Sequence, residues 1–568
     1  MEHSCGAAAK TLQQIQESCD DPGESDEDCS LSSEGSSEES EEEFSDSPED
    51  VCEENEENIA PARKKARSQP TLSWKTERDD DVAPPPLRFL PAREPGVQLS
   101  SGDNHTPLDL FKLFFSEEAV ETLCRNTNKQ AAKNVAGGVK YKWTDLGPEE
   151  FYRYVGLTFY MAMIKLDQIT DYWRKNSIFT IPFPTQVMSR ERYRTISWNI
   201  HMSDPDEDPA NDAKKGTSEY DRLFQVKPLM STIQSACNSY YHPRRNLAVD
   251  NRMSDKLTRL GFKMIVLVDS SNGYTVDFAL STIKNLYKDQ ELLYECVMSL
   301  INKRYLGSGY HVYMDSLFTS PKLFKDLITC KIGACGMYRE SIRDCPHDAD
   351  NALTRTSPRG KYRWIRDGSL LFVKWMDKHE VSVCSTIHQA FTGDTVQRKV
   401  KSKKLVYTTQ SIPCPSPVME YNKVMGGVGL SNQLIQYYTA QHKTLKWYRK
   451  LFFYFLDIAA TNSYILHKEL NQDSRTYKAF MEELTTQLCG VPQKTIVKKA
   501  SGVHVPVPGT EIVLDRRMRA SDGRKTCVYC RKYRGTQTKT PWKCKECDVY
   551  LCLQPDRNCF YAWHPDQE

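Results

Sequence analysis

The stretch FKMIVLVDSSNGYTVDFAL, residues 262–280, determines the fold class of this chain. Apolar and β-branched residues run on both sides of a Ser-Asn-Gly turn, which predicts two consecutive strands. NLAVD before it and GYHVYMDSLFTS after it are strand-like runs that end or pass through Asp250 and Asp315. SPKLFKDLITC then has a helix start, because Ser320 can cap the helix and Pro321 suits its first position. This order of strands and helix predicts an α/β core.

Segments on either side of this core have other patterns. Apolar residues recur at helical spacing before it, and Thr106 can cap a helix that starts at Pro107, so residues 105–240 are predicted to be mainly helical. Residues 342–418 are polar and turn-rich with two strand-like runs, which predicts a small β insertion. The run LKWYRKLFFYFLDIAATNSYILHKEL that follows predicts a long amphipathic helix.

The N-terminal 85 residues have a composition typical of a disordered acidic tail. Ser, Glu and Asp dominate, and too few large apolar residues are present to offset the entropy of ordering. The basic cluster Arg63, Lys64, Lys65 and Arg67 within this tail predicts a nuclear import signal. A Pro-rich linker, APPPLRFLP, closes the tail.

The formal net charge of +1 conceals two regions of opposite charge. Residues 1–57 hold 21 acidic residues against the single basic Lys10, so the other residues hold 75 basic and 54 acidic side chains, a net +21. Such a basic body favours a phosphate-rich partner, with a lysine-rich solubility surface as the alternative. Neither an apolar run long enough for a membrane span nor a secretory pattern occurs, so a nuclear or cytosolic compartment with reduced thiols is expected.

A cysteine-rich segment near the C-terminus has the spacing of a zinc module. Paired thiolates two residues apart can grip one metal ion, and two such pairs are followed by a further trio of ligands. The candidate zinc ligands are Cys527, Cys530, Cys544, Cys547, Cys552, Cys559 and His564. Seven ligands leave one of two zinc ions a ligand short, so one or two structural zinc ions are expected. Basic and aromatic residues are interleaved with these ligands, which favours contact with phosphate, a solvated face being the alternative.

Several motifs together resemble the piggyBac transposase family and its domesticated relatives over residues of about 105–564. These motifs are YW at residues 172–173, MSRERY, YDRLFQVKPLM, GYHVYMDSLFTS, YNKVMGGVG and KWYRKLFFYFLDIAATNSYILHK. The resemblance implies an RNase H-like, DDE-type core over 245–341 and 419–440, interrupted by the insertion. It also implies a dimerisation and DNA-binding helical domain over 105–240 and 441–490, and a cysteine-rich domain over 520–568 that recognises DNA.

The resemblance further implies a metal-dependent centre whose carboxylates are only partly present here. The first two catalytic aspartates match Asp250 and Asp315, whereas the family motif GVDRxDQ reads GVGLSNQ, with Gly429 and Asn432 at the other two positions. Asn251 stands where the family has glutamate, and the hairpin that follows is shortened. Asp269 ends a neighbouring strand, but nothing in the motif assigns it to the site. Since hard cations depend on carboxylate charge, Mg²⁺ is expected to bind weakly or not at all.

These observations predict a domesticated piggyBac-type transposase that binds double-stranded DNA in the nucleus and has lost strand-transfer chemistry. A homodimer and chromatin proteins are further candidate partners, and no membrane is expected. Two alternatives stay open, an active cut-and-paste transposase and a zinc-module protein-interaction factor.

Overall fold

The structure is a computed structural model that describes residues 75–82, 84–100, 104–175, 178, 180–252, 262–282, 290–342, 344–346, 352–401, 407–440, 444, 446–471, 475–490, 504–509 and 524–564. The helices are α1 Pro107–Lys112, α2 Glu117–Ala136, α3 Pro148–Met163, a 3₁₀ turn Ile169–Trp173, α4 Pro182–Val187, α5 Arg190–Asn199, α6 Asp208–Asp212, α7 Lys227–Tyr240, α8 Gln290–Leu300, α9 Lys303–Leu306, α10 Pro321–Thr329, α11 Ser416–Tyr437, α12 Trp447–Asn471, α13 Tyr477–Leu488, α14 Val528–Tyr533 and α15 Cys559–Trp563.

The strands are β1 Lys75–Thr76, β2 Leu90–Pro91, β3 Gly96–Val97, β4 Tyr241–His242, β5 Asn246–Asn251, β6 Phe262–Asp269, β7 Thr275–Thr282, β8 Gly307–Ser308, β9 His311–Met314, β10 Gly333–Met337, β11 Tyr362–Asp367, β12 Leu370–Met376, β13 Glu380–Ser385, β14 Thr395–Lys401, β15 Tyr407–Pro413, β16 Pro506–Pro508, β17 Lys525–Thr526, β18 Lys539–Thr540, β19 Trp542–Cys544, β20 Leu553–Gln554 and β21 Arg557–Asn558.

The centre of the large unit is a mixed sheet of nine strands in the order β1-β11-β12-β13-β10-β9-β5-β6-β7. Strands β5, β6 and β7 form an antiparallel meander, while β9 runs parallel to β5 and β10 parallel to β9. All eight residues of β6 are buried, which explains the apolar run from which the strand was predicted. The predicted strands and the helix start at Ser320 are therefore present, and the Ser320 hydroxyl accepts the amide of Leu323 at 3.3 Å.

The predicted β insertion of residues 342–418 is not separate from the core sheet. Strand β13 pairs antiparallel with β10, so β11, β12 and β13 extend the central sheet on one side. Only β14 and β15 form a ribbon of their own, a two-stranded sheet over Thr395–Pro413. Pairing between residues that are far apart in sequence leaves no local pattern, and the strand-like runs alone could not indicate this continuity.

Helices from both sides of the core pack together. Helix α13 lies against α1 and α3, and the Gln487 side-chain oxygen accepts the Leu108 amide at 2.9 Å. Helix α12 is buried over nearly its whole length, and its Asn462 exchanges two 3.0 Å hydrogen bonds with the backbone of Thr275 on β7. These amide bonds satisfy the backbone where β6 and β7 shift register, so they fix α12 against the sheet.

The predicted N-terminal tail of 85 residues is too long, because residues from Lys75 onward contact the central sheet. Lys75–Thr76 pair with β11 at the edge of the sheet, and Asp81 forms a buried ion pair with Arg366 at 2.6 Å. The nuclear import cluster and the acidic residues that precede Lys75 lie outside the described residues. Residues 75–98 of the large unit form a strap whose strands β2 and β3 pair with β8 and β4.

The chain divides into two compact units, and the described residues of the smaller unit are 129–144. The small unit holds the C-terminal part of α2 and the turn after it, where the Tyr141 hydroxyl donates to the Ala131 carbonyl at 3.4 Å. In the described part of the chain, no helix combines the length and the apolar character that crossing a membrane requires.

Candidate functional site

Asp250 and Asp315 lie at the same edge of the central sheet. Strands β5 and β9 are parallel neighbours in which Val249 is level with Met314, so the aspartates that follow these two residues come side by side. Burial raises the pKa of the Asp250 carboxyl, the amide of Asn251 opposes this, and the charge of Asp315 raises the pKa further. The structure thus brings together the two acids that the sequence paired.

The segment that carries Gly429 and Asn432 lies within helix α11 rather than in a turn. Gly427 lets this helix touch the sheet, because a Cβ there would stand 2.4 Å from the Ser270 Cα. On the other side, Gly273 has a φ of +83° and a Cβ there would meet the backbone of Ser431 at 3.1 Å. These two close approaches fix the helix on the turn between β6 and β7, and the helix also packs against β5, β6 and β9. Gly429 itself is exposed, with open space where a Cβ would be.

A buried arginine occupies the interface between this helix and the strands. The Arg252 side chain follows β5 and is 4 % exposed. Its Nε donates to Asn432 Oδ1 at 2.9 Å, one terminal nitrogen donates to Thr275 Oγ1 at 2.7 Å, and the other donates to the Ser431 hydroxyl. The sequence analysis missed Arg252, since a single arginine after a strand gives no local signal of burial.

Asp269 does not belong to this acidic pair. Because β5 and β6 are antiparallel, Asp269 is level with Leu247 at the opposite end of the ladder, whereas Asp250 is level with Val266. Asp269 is fully buried and accepts hydrogen bonds from Tyr241 Oη, the Arg244 amide and Ser271. These bonds give Asp269 a role in holding the turn after β6.

The residues beside Asp250 and Asp315 do not fit a pair of hard divalent cations. Mg²⁺ takes carboxylates at near-octahedral geometry, and two ions shared by one centre need several of them. Asn432 offers a neutral oxygen that already accepts from Arg252, and Gly429 offers no ligand. Among the residues that the structure describes, the acidic pair is not part of any group of three or more metal-ligating side chains.

Two groups of metal-ligating side chains lie in the C-terminal module. The first joins Cys527, Cys530, Cys552 and Cys559, and the second joins His504, Cys544, Cys547 and His564, with all ligand atoms of a group within 4.8 Å of one another. The two CxxC pairs therefore serve different groups. Cys552 and Cys559 join the first pair, and His504 and His564 join the second, as in a cross-brace. The first group offers four thiolate sulfurs, and the second offers two sulfurs and two imidazole nitrogens. Each is the donor set of a tetrahedral metal site.

Hydrogen bonds within the module hold these ligands in position. The amide of the second cysteine of each CxxC pair donates to the sulfur of the first, at 3.4 Å in both pairs. His564 has Nδ1 at 2.8 Å from the Phe560 carbonyl oxygen, which directs its Nε2 toward Cys547 Sγ at 3.3 Å. Such bonds to the second ring nitrogen orient a ligating histidine.

His504 is an eighth candidate ligand, which the sequence analysis did not find. It lies 3.3 Å from Cys544 Sγ and 3.2 Å from Cys547 Sγ through its Nδ1. Strand β16, which follows His504, pairs with β19 and so delivers the histidine from outside the predicted 520–568 domain. The domain boundary was therefore drawn too late, because a lone histidine before a long gap lacks the spacing of a metal motif.

The surface of the module is basic. Its exposed basic residues are Arg524, Lys525, Arg531, Lys532, Arg534, Lys539 and Lys545. Phe560 and Trp563 pack against the cysteine cluster, while Tyr533 and Tyr561 are 58 % and 63 % exposed. The interleaved aromatics thus divide into core residues and exposed rings.

Comparison with known proteins agrees with this architecture. Residues 106–464 match the family model described as Transposase IS4, and the chain belongs to this family of transposases, in its piggyBac type. Human PiggyBac transposable element-derived protein 2 is 26 % identical over 442 residues, covering 73 % of this chain and 70 % of the relative. Human PiggyBac transposable element-derived protein 3 is 23 % identical over 500 residues, covering 81 % and 76 %.

A solved structure shares the fold. The piggyBac transposase in a synaptic complex with hairpin DNA matches with a TM-score of 0.58 at 21 % identity, over 81 % of this chain and 98 % of that one. The chain thus has a piggyBac transposase-like fold, with a mixed sheet, surrounding helices and a C-terminal Cys/His module that could hold metal.

Proposed function

We propose that this protein binds double-stranded DNA in the nucleus and does not carry out cut-and-paste transposition. The observation that carries the DNA-binding proposal is the exposed basic surface of the cross-braced module, on a body with a net charge of +21 over residues 58–568. Lysine and arginine side chains on such a surface neutralise phosphates and release counterions. The solved relative was itself captured with hairpin DNA.

The sheet supports an RNase H-like core. Taken in chain order from β5, its five central strands are arranged 3-2-1-4-5, with the first three antiparallel and the last two parallel to the first. This is the strand order of RNase H-like sheets, and it sets Asp250 on the first strand beside Asp315 after the fourth.

Loss of strand-transfer chemistry rests on the donor set beside those two acids. Phosphoryl transfer depends on positioning and on neutralisation of charge by bound cations, and both require the carboxylates that Gly429 and Asn432 replace. We infer that Mg²⁺ binds this centre weakly or not at all. A plasmid excision assay tests the inference, with an active piggyBac transposase as positive control. Excision above background by the wild-type chain would establish the alternative of an active transposase.

The two Cys/His groups are proposed to hold one structural zinc ion each, because thiolate and imidazole are the ligands that zinc prefers. His504→Gln should reduce the zinc content of the full-length protein from two ions per chain to one, measured by elemental analysis. His379→Gln, at an exposed position outside the module, is the matched control. Cys527→Ser should empty the other group and unfold the module while the core keeps its melting transition.

The DNA-binding proposal is tested by removing charge from the module. Replacing Arg531, Lys532 and Arg534 with glutamine should weaken DNA binding and reduce its salt dependence, by about 0.9 in the log-log slope for each phosphate that is no longer neutralised. The control replaces three exposed lysines outside the module with glutamine, Lys361, Lys378 and Lys399. Fluorescence anisotropy at two salt concentrations measures both. No salt-dependent DNA affinity in the wild type would favour the protein-interaction alternative.

Nuclear location is proposed from Arg63, Lys64, Lys65 and Arg67, and replacing the four with alanine should move a fluorescent fusion to the cytosol.

A homodimer is proposed from the family resemblance, and chromatin proteins are further proposed partners. Sedimentation of the full-length protein, with and without DNA, tests the dimer.

A further inference from the structure

The backbone of Arg252 lies at the acidic edge of the sheet, and its side chain joins strand β7 to helix α11. Its hydrogen bonds reach Thr275 on β7 and both Ser431 and Asn432 on α11. Its backbone amide donates to the Met264 carbonyl at 2.8 Å, which continues the β5–β6 ladder by one residue. Hydrogen bonds of both the backbone and the side chain therefore hold Arg252 in place.

Arg252 is a buried positive charge bound to Asn432, a position at which the resemblance implies a metal ligand. Removing a guanidinium from water is costly unless its donors find acceptors, and here three side-chain oxygens accept from it. Asp250 and the Tyr454 phenol lie close enough to act electrostatically on it. Arg252 thus places a fixed positive charge within electrostatic reach of Asp250.

We propose that the Arg252 guanidinium replaces the divalent cation of this centre as the positive group that joins helix α11 to strands β5 and β7. Asn432 occupies a position where the resemblance implies a metal ligand, and its oxygen faces Arg252 Nε instead. A covalently attached cation cannot be removed by chelators and holds no water for activation. This inference rests on the proposed loss of catalysis and adds that the centre stays assembled without metal.

The first test measures Mn²⁺ binding to the full-length wild-type protein by electron paramagnetic resonance. Mn²⁺ prefers oxygen ligands, so it reports on the acidic edge and avoids the cysteine-rich module. The expected result is no saturable binding and no change in melting temperature on adding Mn²⁺. A saturable Mn²⁺ site that Asp315→Asn abolishes would overturn the proposal.

The second test removes the arginine. Arg252→Met should lower the melting temperature of the core by about 5 °C or more, since it leaves buried polar groups without their partner. Arg190→Met, which removes an exposed arginine from α5, should leave the melting temperature unchanged. Equal melting temperatures for the Arg252→Met and wild-type proteins would overturn the proposal.

The third test asks whether Arg252 competes with metal. Gly429→Asp with Asn432→Asp should give a weak Mn²⁺ site, and adding Arg252→Met should tighten Mn²⁺ binding at least tenfold. Equal affinity with and without the arginine would contradict the proposal, and the wild-type measurement decides it if the triple variant does not fold. DNA affinity does not enter these readouts, so failure of the DNA-binding proposal is distinguished from failure of this one.

Discussion

At the scale of single residues, the buried acid Asp457 makes stability depend on pH. Asp457 lies within α12 and accepts the Ala440 amide at 2.7 Å and the Thr439 hydroxyl at 2.8 Å. Burial raises its pKa from 3.8 to about 8, and the two hydrogen bonds oppose this shift. The folded state therefore binds the proton more tightly than the unfolded state, and this contribution to stability is full below pH 3.8 and is lost as pH rises toward 8.

Asp457→Asn should remove this dependence, because the amide keeps an acceptor for Ala440 and never ionises. We expect the variant to gain stability relative to the wild type, by several kcal/mol, between pH 5 and pH 8.5. Urea unfolding at the two pH values measures the difference. Partial burial lowers the pKa values of histidines such as His311 and His388 to about 4, but these histidines act equally in both proteins. Parallel pH profiles for the two proteins would contradict this assignment.

The residues that sequence reasoning missed share a physical property. Arg252 and His504 gain their roles from contacts with residues about 180 and 40 positions away, which no local spacing encodes. Asp250, Asp315 and the CxxC pairs could be found, because they stand at strand ends or at ligand spacing.

At the scale of elements, two glycines of helix α11 should respond in opposite ways to the same substitution. A Cβ at Gly427 would stand 2.4 Å from the Ser270 backbone, so Gly427→Ala should push the helix from the sheet and destabilise the protein by about 1–3 kcal/mol. Gly429 meets nothing within 4 Å, so Gly429→Ala should stabilise the helix by about 0.5–1 kcal/mol. Denaturant unfolding measures both, and each variant is the other's control. Equal effects would show that α11 does not lie as closely on the sheet.

A buried ion pair helps to hold the N-terminal strap. Asp81 and Arg366 have side chains 8 % and 7 % exposed, and Asp81 also accepts the Ala390 amide at 2.6 Å. Asp81→Ala leaves the guanidinium buried without its acid, so a destabilisation of about 3–5 kcal/mol is expected. Limited proteolysis should then cut within residues 75–91, whereas Asp80→Ala, at an exposed position, should leave the strap protected. Cleavage of both variants at the same rate would exclude this role for the pair.

Local signals predicted elements better than their assembly. The caps at Thr106 and Ser320 follow from residue types a few positions apart, and both form in the structure. The strand-like run SLLFVKWMD corresponds to β12, but its membership of the central sheet depends on the pairing of β13 with β10 across about 50 residues. The strap was assigned to the acidic tail and its Pro-rich linker, whereas its contacts are with β11, β8, β4 and Arg366, all far along the chain.

At the scale of the whole molecule, the acidic N-terminus should compete with DNA for the basic body. Residues 1–57 carry a net charge of −20 on a chain whose remainder carries +21, so the two regions attract each other at low salt.

Deleting residues 1–57 should tighten non-specific DNA binding, and the gain should shrink as salt screens the attraction. A deletion of equal length cannot be made elsewhere without removing folded elements, so the matched control replaces the acidic residues of the tail with asparagine and glutamine at unchanged length. Fluorescence anisotropy with a random-sequence duplex at two salt concentrations measures the effect.

Phosphorylation of tail serines such as Ser40 and Ser45, which precede acidic residues, should weaken DNA binding by the full-length protein. The protein that lacks residues 1–57 has lost these serines, so treatment with a kinase that phosphorylates them should not change its DNA affinity. If deletion and neutralisation both leave DNA affinity unchanged at low salt, the tail does not compete for the DNA-binding surface, and the basic body binds DNA independently of it.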